Sequence, residues 1–243
     1  MSTIAFVFAR GGSKGLPGKN VRVLGGKPLV AHSIEMALSI SAVSEVFVST
    51  DSPAIASVAR AWSAKVIDRP SSLAGDKSPE WLAWQHAIEH VALAHGPFET
   101  FLSLPATAPL RSQADVEACL GALEVDVDAV ITMTPSARNP WFNMVRSDGR
   151  GMVTVVNQSA SSFERRQDAP TSFDMTTVAY VLRPDFIASH TGIWDGRVRG
   201  ISIPKKRAID IDDDIDFQIA EMLYERNLND QLGDEGSHAA HKI

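Results

Sequence analysis

Ala9-Arg10-Gly11-Gly12-Ser13-Lys14-Gly15-Leu16-Pro17-Gly18-Lys19-Asn20 follows directly on an apolar run, Thr3–Phe8. A strand that opens into a glycine-rich loop is where open α/β sheets bind their ligands, at the carboxyl ends of the strands. The glycines let the backbone approach a ligand closely and aim N–H groups at it. Arg10, Lys14 and Lys19 add three cations to the same twelve residues. The stretch reads as a polyphosphate cradle, with Gly11, Gly12 and Ser13 presenting backbone donors beside those cations. It is neither a standard P-loop, whose pattern needs glycine and Ser/Thr where Ser13 and Asn20 stand, nor G-x-G-x-x-G.

The rest of the chain supplies the sheet that such a loop requires. Strands are expected at Thr3–Phe8, Glu45–Ser49, Thr100–Leu104, Ala129–Met133, Thr177–Leu182 and Val198–Ile203. Helices are expected at Pro28–Ile40, Ser52–Ala64, Ser78–Ala94, Gln113–Leu123 and Asp213–Arg226. Near-continuous apolar strands alternating with helices imply a mostly parallel sheet covered on both faces. Asp51-Ser52-Pro53 and Lys77-Ser78-Pro79-Glu80 read as helix starts. Trp81, Trp84 and Ile88 follow helical spacing and belong in a core. His86 and His90 stand four apart in apolar surroundings and make no metal motif.

The rhythm breaks between Pro135 and Pro170. Met144–Arg146 and Met152–Val156 flank Asp148-Gly149, a hairpin signal. The expected organisation is one domain over 1–228, an inserted subdomain over 135–170, and a polar, disordered tail over 229–243. Trp141, Phe142 and Met144 on the insertion are apolar, and a lone hairpin is unstable in water, so a homodimer is expected.

Near the end, Asp210-Ile211-Asp212-Asp213-Asp214-Ile215-Asp216 holds five carboxylates in seven residues. On an extended segment Asp210 and Asp212 point to one side and form a hard-oxygen site for Mg²⁺ or Mn²⁺, shared with phosphates. Asp213, Asp214 and Asp216 suit the cap of the following helix.

Composition limits the function. The formal net charge of -6 and pI near 5.6 do not fit general nucleic-acid binding, which needs clustered cations. The single cysteine, Cys119, excludes an intrachain disulfide and reads as a small buried thiol in a reducing compartment. The apolar start is too short to span a membrane and no run of 18 apolar residues follows, so no secretory signal, no membrane anchor and a cytoplasmic location are expected.

The motifs together resemble the acylneuraminate cytidylyltransferase family, the CMP-sialic acid and CMP-nonulosonate synthetases, over about Ile4 to Leu228. The loop Ala9–Asn20 matches the family's nucleotide loop almost letter for letter. Val48-Ser49-Thr50-Asp51 matches its V-S-T-D, Arg69-Pro70-Ser71-Ser72-Leu73-Ala74-Gly75-Asp76 its R-P-x-x-L-A-x-D, and Ile209-Asp210-Ile211-Asp212 its I-D-I-D. The resemblance implies a three-layer, Rossmann-like nucleotidyltransferase domain with a small inserted dimerisation subdomain. It implies CTP as co-substrate, Mg²⁺, and transfer of CMP to the anomeric hydroxyl of an acidic 2-keto sugar. Arg10 and Lys19 would hold the CTP phosphates and Lys14 would assist pyrophosphate departure. Asn20, Arg69 and Ser78 would read the nucleoside, Asp210 and Asp212 would hold the metal, and Arg166-Gln167 would meet the sugar.

The sugar side departs from the family. Leu104-Pro105-Ala106-Thr107-Ala108-Pro109-Leu110-Arg111 stands where sialic-acid members read L-Q-P-T-S-P-L-R, and the Kdo-activating branch with its Q-G-D-E-P fits worse. Phe173-Asp174-Met175-Thr176-Thr177-Val178 stands where the family shows F-R-P-N-G-A, so Asp174 replaces an arginine and would suit an acceptor rich in donors. The alternatives are a different sugar or NTP on the same fold, or an idle nucleotide-binding regulatory module.

Overall fold

The computed structural model describes residues 2–158 and 163–239, with side chains to 228. β1 (Thr3–Phe8) opens into the glycine loop, and a short hairpin, β2 (Val23–Leu24) and β3 (Lys27–Pro28), leads into α1 (Leu29–Ser39). Then follow β4 (Val43–Thr50), α2 (Pro53–Ala61), β5 (Lys65–Asp68), α3 (Glu80–His95), β6 (Thr100–Ser103), α4 (Gln113–Gly121) and β7 (Ala129–Pro135). The chain leaves the sheet for the hairpin β8 (Val145–Ser147) and β9 (Val153–Val155). It returns as β10 (Phe173–Leu182), α5 (Pro184–Ser189), β11 (Val198–Ser202) and α6 (Asp214–Ala239).

The main sheet has seven strands in the order β11-β7-β10-β6-β1-β4-β5. β10 runs antiparallel to both neighbours, β6 and β7, and every other pairing is parallel. The carboxyl ends of the parallel strands and the start of β10 therefore share one edge. Alternation sorts β1 onto two faces. Ala5 and Val7 pack with α1, α2 and α4, whereas Ile4 and Phe6 pack toward α3 and α5. Phe6 anchors the second face, 4.8 Å from the Phe101 ring and 5.9 Å from that of Phe47. Trp81, Trp84 and Ile88 are buried there, and Cys119 lies in the opposite core, its thiol pushed by burial up to about 12.

Three of the differences from the sequence reading have a plain physical account. β5 is a four-residue edge strand with Lys65 and Asp68 at its ends, which leaves little apolar pattern to read. β10 begins at Phe173 rather than Thr177, and its register shifts between Thr176 and Tyr180. The Thr132 hydroxyl repairs that bulge by donating to Thr176 O (3.1 Å) and accepting from the Ala179 amide (3.3 Å). Finally, α6 continues to Ala239, through most of the segment expected as a tail.

A further small core seats the loop. Leu16, Leu24, Leu29, Ile211 and Phe217 are buried together, so the glycine loop, the β2–β3 hairpin and α6 are clamped on one another. At Gly25 any side chain would collide with the Tyr224 ring of α6, and φ there is +55°, so glycine is required twice over.

Candidate active site

The glycine loop is held before any ligand arrives. The Gly11 amide donates to Asp51 Oδ1 (2.9 Å) and Asn20 Nδ2 donates to Arg10 O (3.0 Å). Leu16 fixes the middle of the loop in the α6 core. A Cβ at Gly15 would run into the carbonyl of Asp212, so glycine permits the loop and the β11 exit to touch. Gly18, at φ +69°, turns the chain into the short helical turn Lys19–Val21.

Phe8, Arg10, Ser13, Lys14, Gly15, Lys19, Asn20, Thr107 and Asp212 line a cavity of about 370 Å³. The buried Lys19 ammonium donates to Ile211 O (2.6 Å) and pairs with Asp212 at 3.0 Å. Arg10 pairs with Asp76 at 2.7 Å, and Lys14 pairs with the other oxygen of the same carboxylate. The two cations hold the Asp76 carboxyl below its usual range. Asp76 thus occupies, with one carboxylate, cations whose chemistry suits phosphate. Gly11 and Gly12 line no described cavity: the Gly11 amide is taken by Asp51, and Gly12 is exposed.

A second cavity of about 250 Å³ shares Phe8 and Arg10 with the first and adds Arg69, Leu73, Gly75, Asp76, Ser78, Glu80 and Ala83. Arg69 is fixed by Ser49, with Nε to Oγ at 3.1 Å and Nη2 to the carbonyl at 2.7 Å, and its guanidinium lies 5.5 Å from the Phe8 ring centre. Burial pulls its pKa down. The expected helix caps are diverted to the site. Ser52 makes no capping hydrogen bond, and its neighbour Asp51 holds the loop. α3 takes Pro79 as its N-cap with no side-chain bond, and Ser78 Oγ is buried with no partner.

After β11, Ile211 turns into the core with its amide donating to Thr107 O (2.8 Å). Asp210 and Asp212 flank it. Asp212 meets Lys19 with its side chain 76% exposed, whereas Asp210 Oδ1 is buried without a partner. Capping falls to the later acids. Asp213 accepts from the Ile215 and Asp216 amides, Asp216 accepts from those of Asp212 and Asp213, and Asp214 pairs with Arg22. Among the described residues no group of three or more His, Cys, Asp or Glu is arranged to hold a metal.

Arg166 and Gln167 lie elsewhere along the same edge. With Pro135, Ser136, Asn139, Ala169, Pro170, Thr171 and Ser172 they line a cavity of about 380 Å³ at the base of the insertion. Arg166 donates to Ser136 O, and Ser136 Oγ donates to Asp174 Oδ1 (2.6 Å), so two of the three expected sugar residues hang on one serine. Pro105 contributes through its carbonyl, which accepts from Ser33 Oγ (3.0 Å) and from Arg111. Arg111 is fully buried and also bonds Val178 O (2.7 Å) and Ser33 Oγ (2.7 Å). Burial lowers its pKa to about 9, still cationic at neutral pH. The sequence reading assigned no site role to Asp51, Asp76, Glu80, Thr107 or Arg111. Asp51 and Asp76 ended two of its motifs, and Asp51 and Glu80 were read as parts of helix starts.

Residues 4–86 match the family model described as cytidylyltransferase. Post-translational flagellin modification protein B of Campylobacter coli is 33% identical over 228 residues, covering 91% of this chain and 95% of that protein. CMP-N,N'-diacetyllegionaminic acid synthase of Campylobacter jejuni is 33% identical over 223 residues, 89% of this chain and 92% of its own. In fold, the chain resembles a CMP:2-keto-3-deoxy-manno-octonic acid synthetase solved with CTP, at TM-score 0.70 and 17% identity over 93% of this chain and all of that one. With the loop, the V-S-T-D strand end and the paired aspartates all at one sheet edge, the chain belongs to the acylneuraminate cytidylyltransferase family and is a CTP-dependent enzyme.

Proposed function

We propose that the acceptor is an acidic 2-keto sugar of the nonulosonate class, and that CMP passes from CTP to its anomeric hydroxyl with release of pyrophosphate. The observation that carries this is the cavity containing Arg166 and Gln167, which opens on the same sheet edge as the loop cavity. A guanidinium fits a carboxylate through two parallel hydrogen bonds. The relative named for N,N'-diacetyllegionaminic acid supports this acceptor class. Pro105 and Asp174 argue against N-acetylneuraminic acid as the best member of it.

In this reading Arg10 and Lys19 bind the triphosphate and place its α-phosphorus in line with the attacking hydroxyl. The new O–P bond forms as the bond to the β-phosphate oxygen breaks. Lys14, with its side chain 81% exposed, is free to leave Asp76 and follow the departing pyrophosphate. Positioning and charge supply most of the acceleration. Asp210 and Asp212 fit a hard divalent cation, since the partnerless Asp210 Oδ1 leaves a buried donor unused. Bound there, Mg²⁺ or Mn²⁺ would neutralise phosphate charge. The insertion is proposed to pair with a second copy, because Val145, Met152 and Val153 are 56%, 71% and 58% exposed on its hairpin. The single buried thiol suits the reducing cytoplasm.

The test is pyrophosphate release with CTP against N-acetylneuraminic acid, Kdo, and legionaminic- and pseudaminic-type sugars. The expected order places a legionaminic- or pseudaminic-type sugar first in kcat/KM. Highest turnover of N-acetylneuraminic acid would overturn the reading of Pro105 and Asp174, and turnover of neutral sugars alone would overturn that of Arg166.

A further inference from the structure

We propose that Glu80 is the residue that tells cytosine from uracil. The inference rests on the placement of the CTP phosphates in the loop cavity. With the triphosphate there, the adjoining cavity that shares Phe8 and Arg10 is the one left for the base. Its walls offer a flat apolar surface, the Phe8 ring, with the Arg69 guanidinium held over it. Arg10 and Asp76 are already paired with each other at its phosphate end, which leaves two donors and one acceptor on the rest of its wall. Arg69 is a fixed donor, Ser78 Oγ is a buried hydroxyl with no partner, and Glu80 is the carboxylate beside them.

Cytosine presents the complementary edge: an exocyclic amino group that donates, and a ring nitrogen and a carbonyl that accept. The amino group would donate to Glu80 while Arg69 and Ser78 serve the acceptors. Uracil carries a carbonyl at the amino position, so an ionised Glu80 would face a second acceptor with no proton between them. A site built to bond one polar group rejects the analogue that lacks it far more strongly than a fit by shape alone.

The surroundings of Glu80 act on its charge in both directions. The residue stands at the first turn of α3, exposed and on the wall of the cavity. Burial raises its carboxyl above the usual range, opposed by the Trp84 indole and by the Arg69 charge. The indole N–H lies short of a well-formed hydrogen bond, which leaves the carboxylate free to accept from a ligand. The remaining charge acting on it is Asp210, across the cleft.

The experiment is equilibrium binding of Mg·CTP and Mg·UTP, followed by calorimetry, to the unaltered protein, to Glu80→Gln and to Glu80→Ala, with thermal melting as the fold control. The glutamine amide keeps the shape and can donate to the uracil carbonyl. The unaltered protein should prefer CTP at least tenfold. Glu80→Gln should narrow that ratio about tenfold, chiefly by tighter UTP binding, and Glu80→Ala should weaken CTP without improving UTP. An unchanged CTP:UTP ratio in folded Glu80→Gln overturns the inference. So does an equal gain for both nucleotides, which would mean that Glu80 acts only as a charge near the phosphates. Because no acceptor sugar is present, these results stand apart from the choice of acceptor. No CTP binding by the unaltered protein would overturn the placement of the phosphates itself.

Discussion

The two ends of the active edge are built differently. On the β1–β4–β5 side, the loop is tied to the folded body from three other segments, by the Asp51 carboxylate after β4, the Asp76 carboxylate before α3, and the Ile211 carbonyl and Asp212 carboxylate after β11, with Leu16 sunk in the α6 core. On the β7–β10 side, Arg166 and Asp174 hang on Ser136 at the root of an insertion whose hairpin is a separate two-stranded sheet. CTP is the co-substrate whichever acceptor is used, so rigid preorganisation on the phosphate side serves any acceptor. The proposed acceptor side is drawn from separate parts of the fold: Arg166 from the insertion, Asp174 from β10, where it pairs with Thr134, and Pro105 from the turn after β6.

Breaking the rigid side should have the largest effects. Chelation with EDTA should abolish pyrophosphate release, and Mg²⁺ or Mn²⁺ should restore it. In Asp212→Asn and Asp210→Asn the rescue should fail. Full activity in EDTA would reduce both aspartates to structural groups. Next in size is Lys19→Ala. It removes a buried ammonium that meets both Ile211 O and Asp212, so kcat/KM should fall on the order of 10²–10³-fold, the loss typical when one preorganised electrostatic group is removed. Circular dichroism and melting must show the fold retained. Near-normal activity in a folded variant would take Lys19 out of the mechanism.

This contrast also governs how far the sequence could be read. The loop, V-S-T-D and I-D-I-D are local strings, and the site they form is the one the structure places at a single sheet edge. Their partners were harder to see. Ser78 and Glu80 read as a helix start, because capping and ligand binding ask for the same residue types. Only the fold shows that Pro79 takes the cap and leaves Ser78 Oγ unused. Arg111 ends the Leu104–Arg111 string, yet its role is to tie the Pro105 carbonyl to Ser33 and Val178, contacts across the fold that no spacing encodes. β5 was missed for the opposite reason, since a short edge strand with charged ends carries almost no pattern.

The last prediction concerns the acceptor side of the comparison, and its effect should be the smallest on the nucleotide. Val153→Asp places a charge on the exposed apolar face of the β8–β9 hairpin. A two-stranded hairpin is marginal alone and gains stability by covering that face, so the charge should shift the protein from dimer to monomer in light scattering at micromolar concentration. The hairpin is laced to the Arg166 segment: the Asn157 amide donates to Pro140 O (2.8 Å), and Asn139 Nδ2 donates to Pro170 O (2.9 Å). Loosening the hairpin should therefore loosen the acceptor cavity, raising KM for the sugar about tenfold, while Kd for CTP stays within about twofold because the loop is anchored to the main sheet and α6. An unaltered protein that is already monomeric would defeat the assembly argument. Equal losses of sugar and CTP binding in the variant would show that the two ends of the edge are not independent.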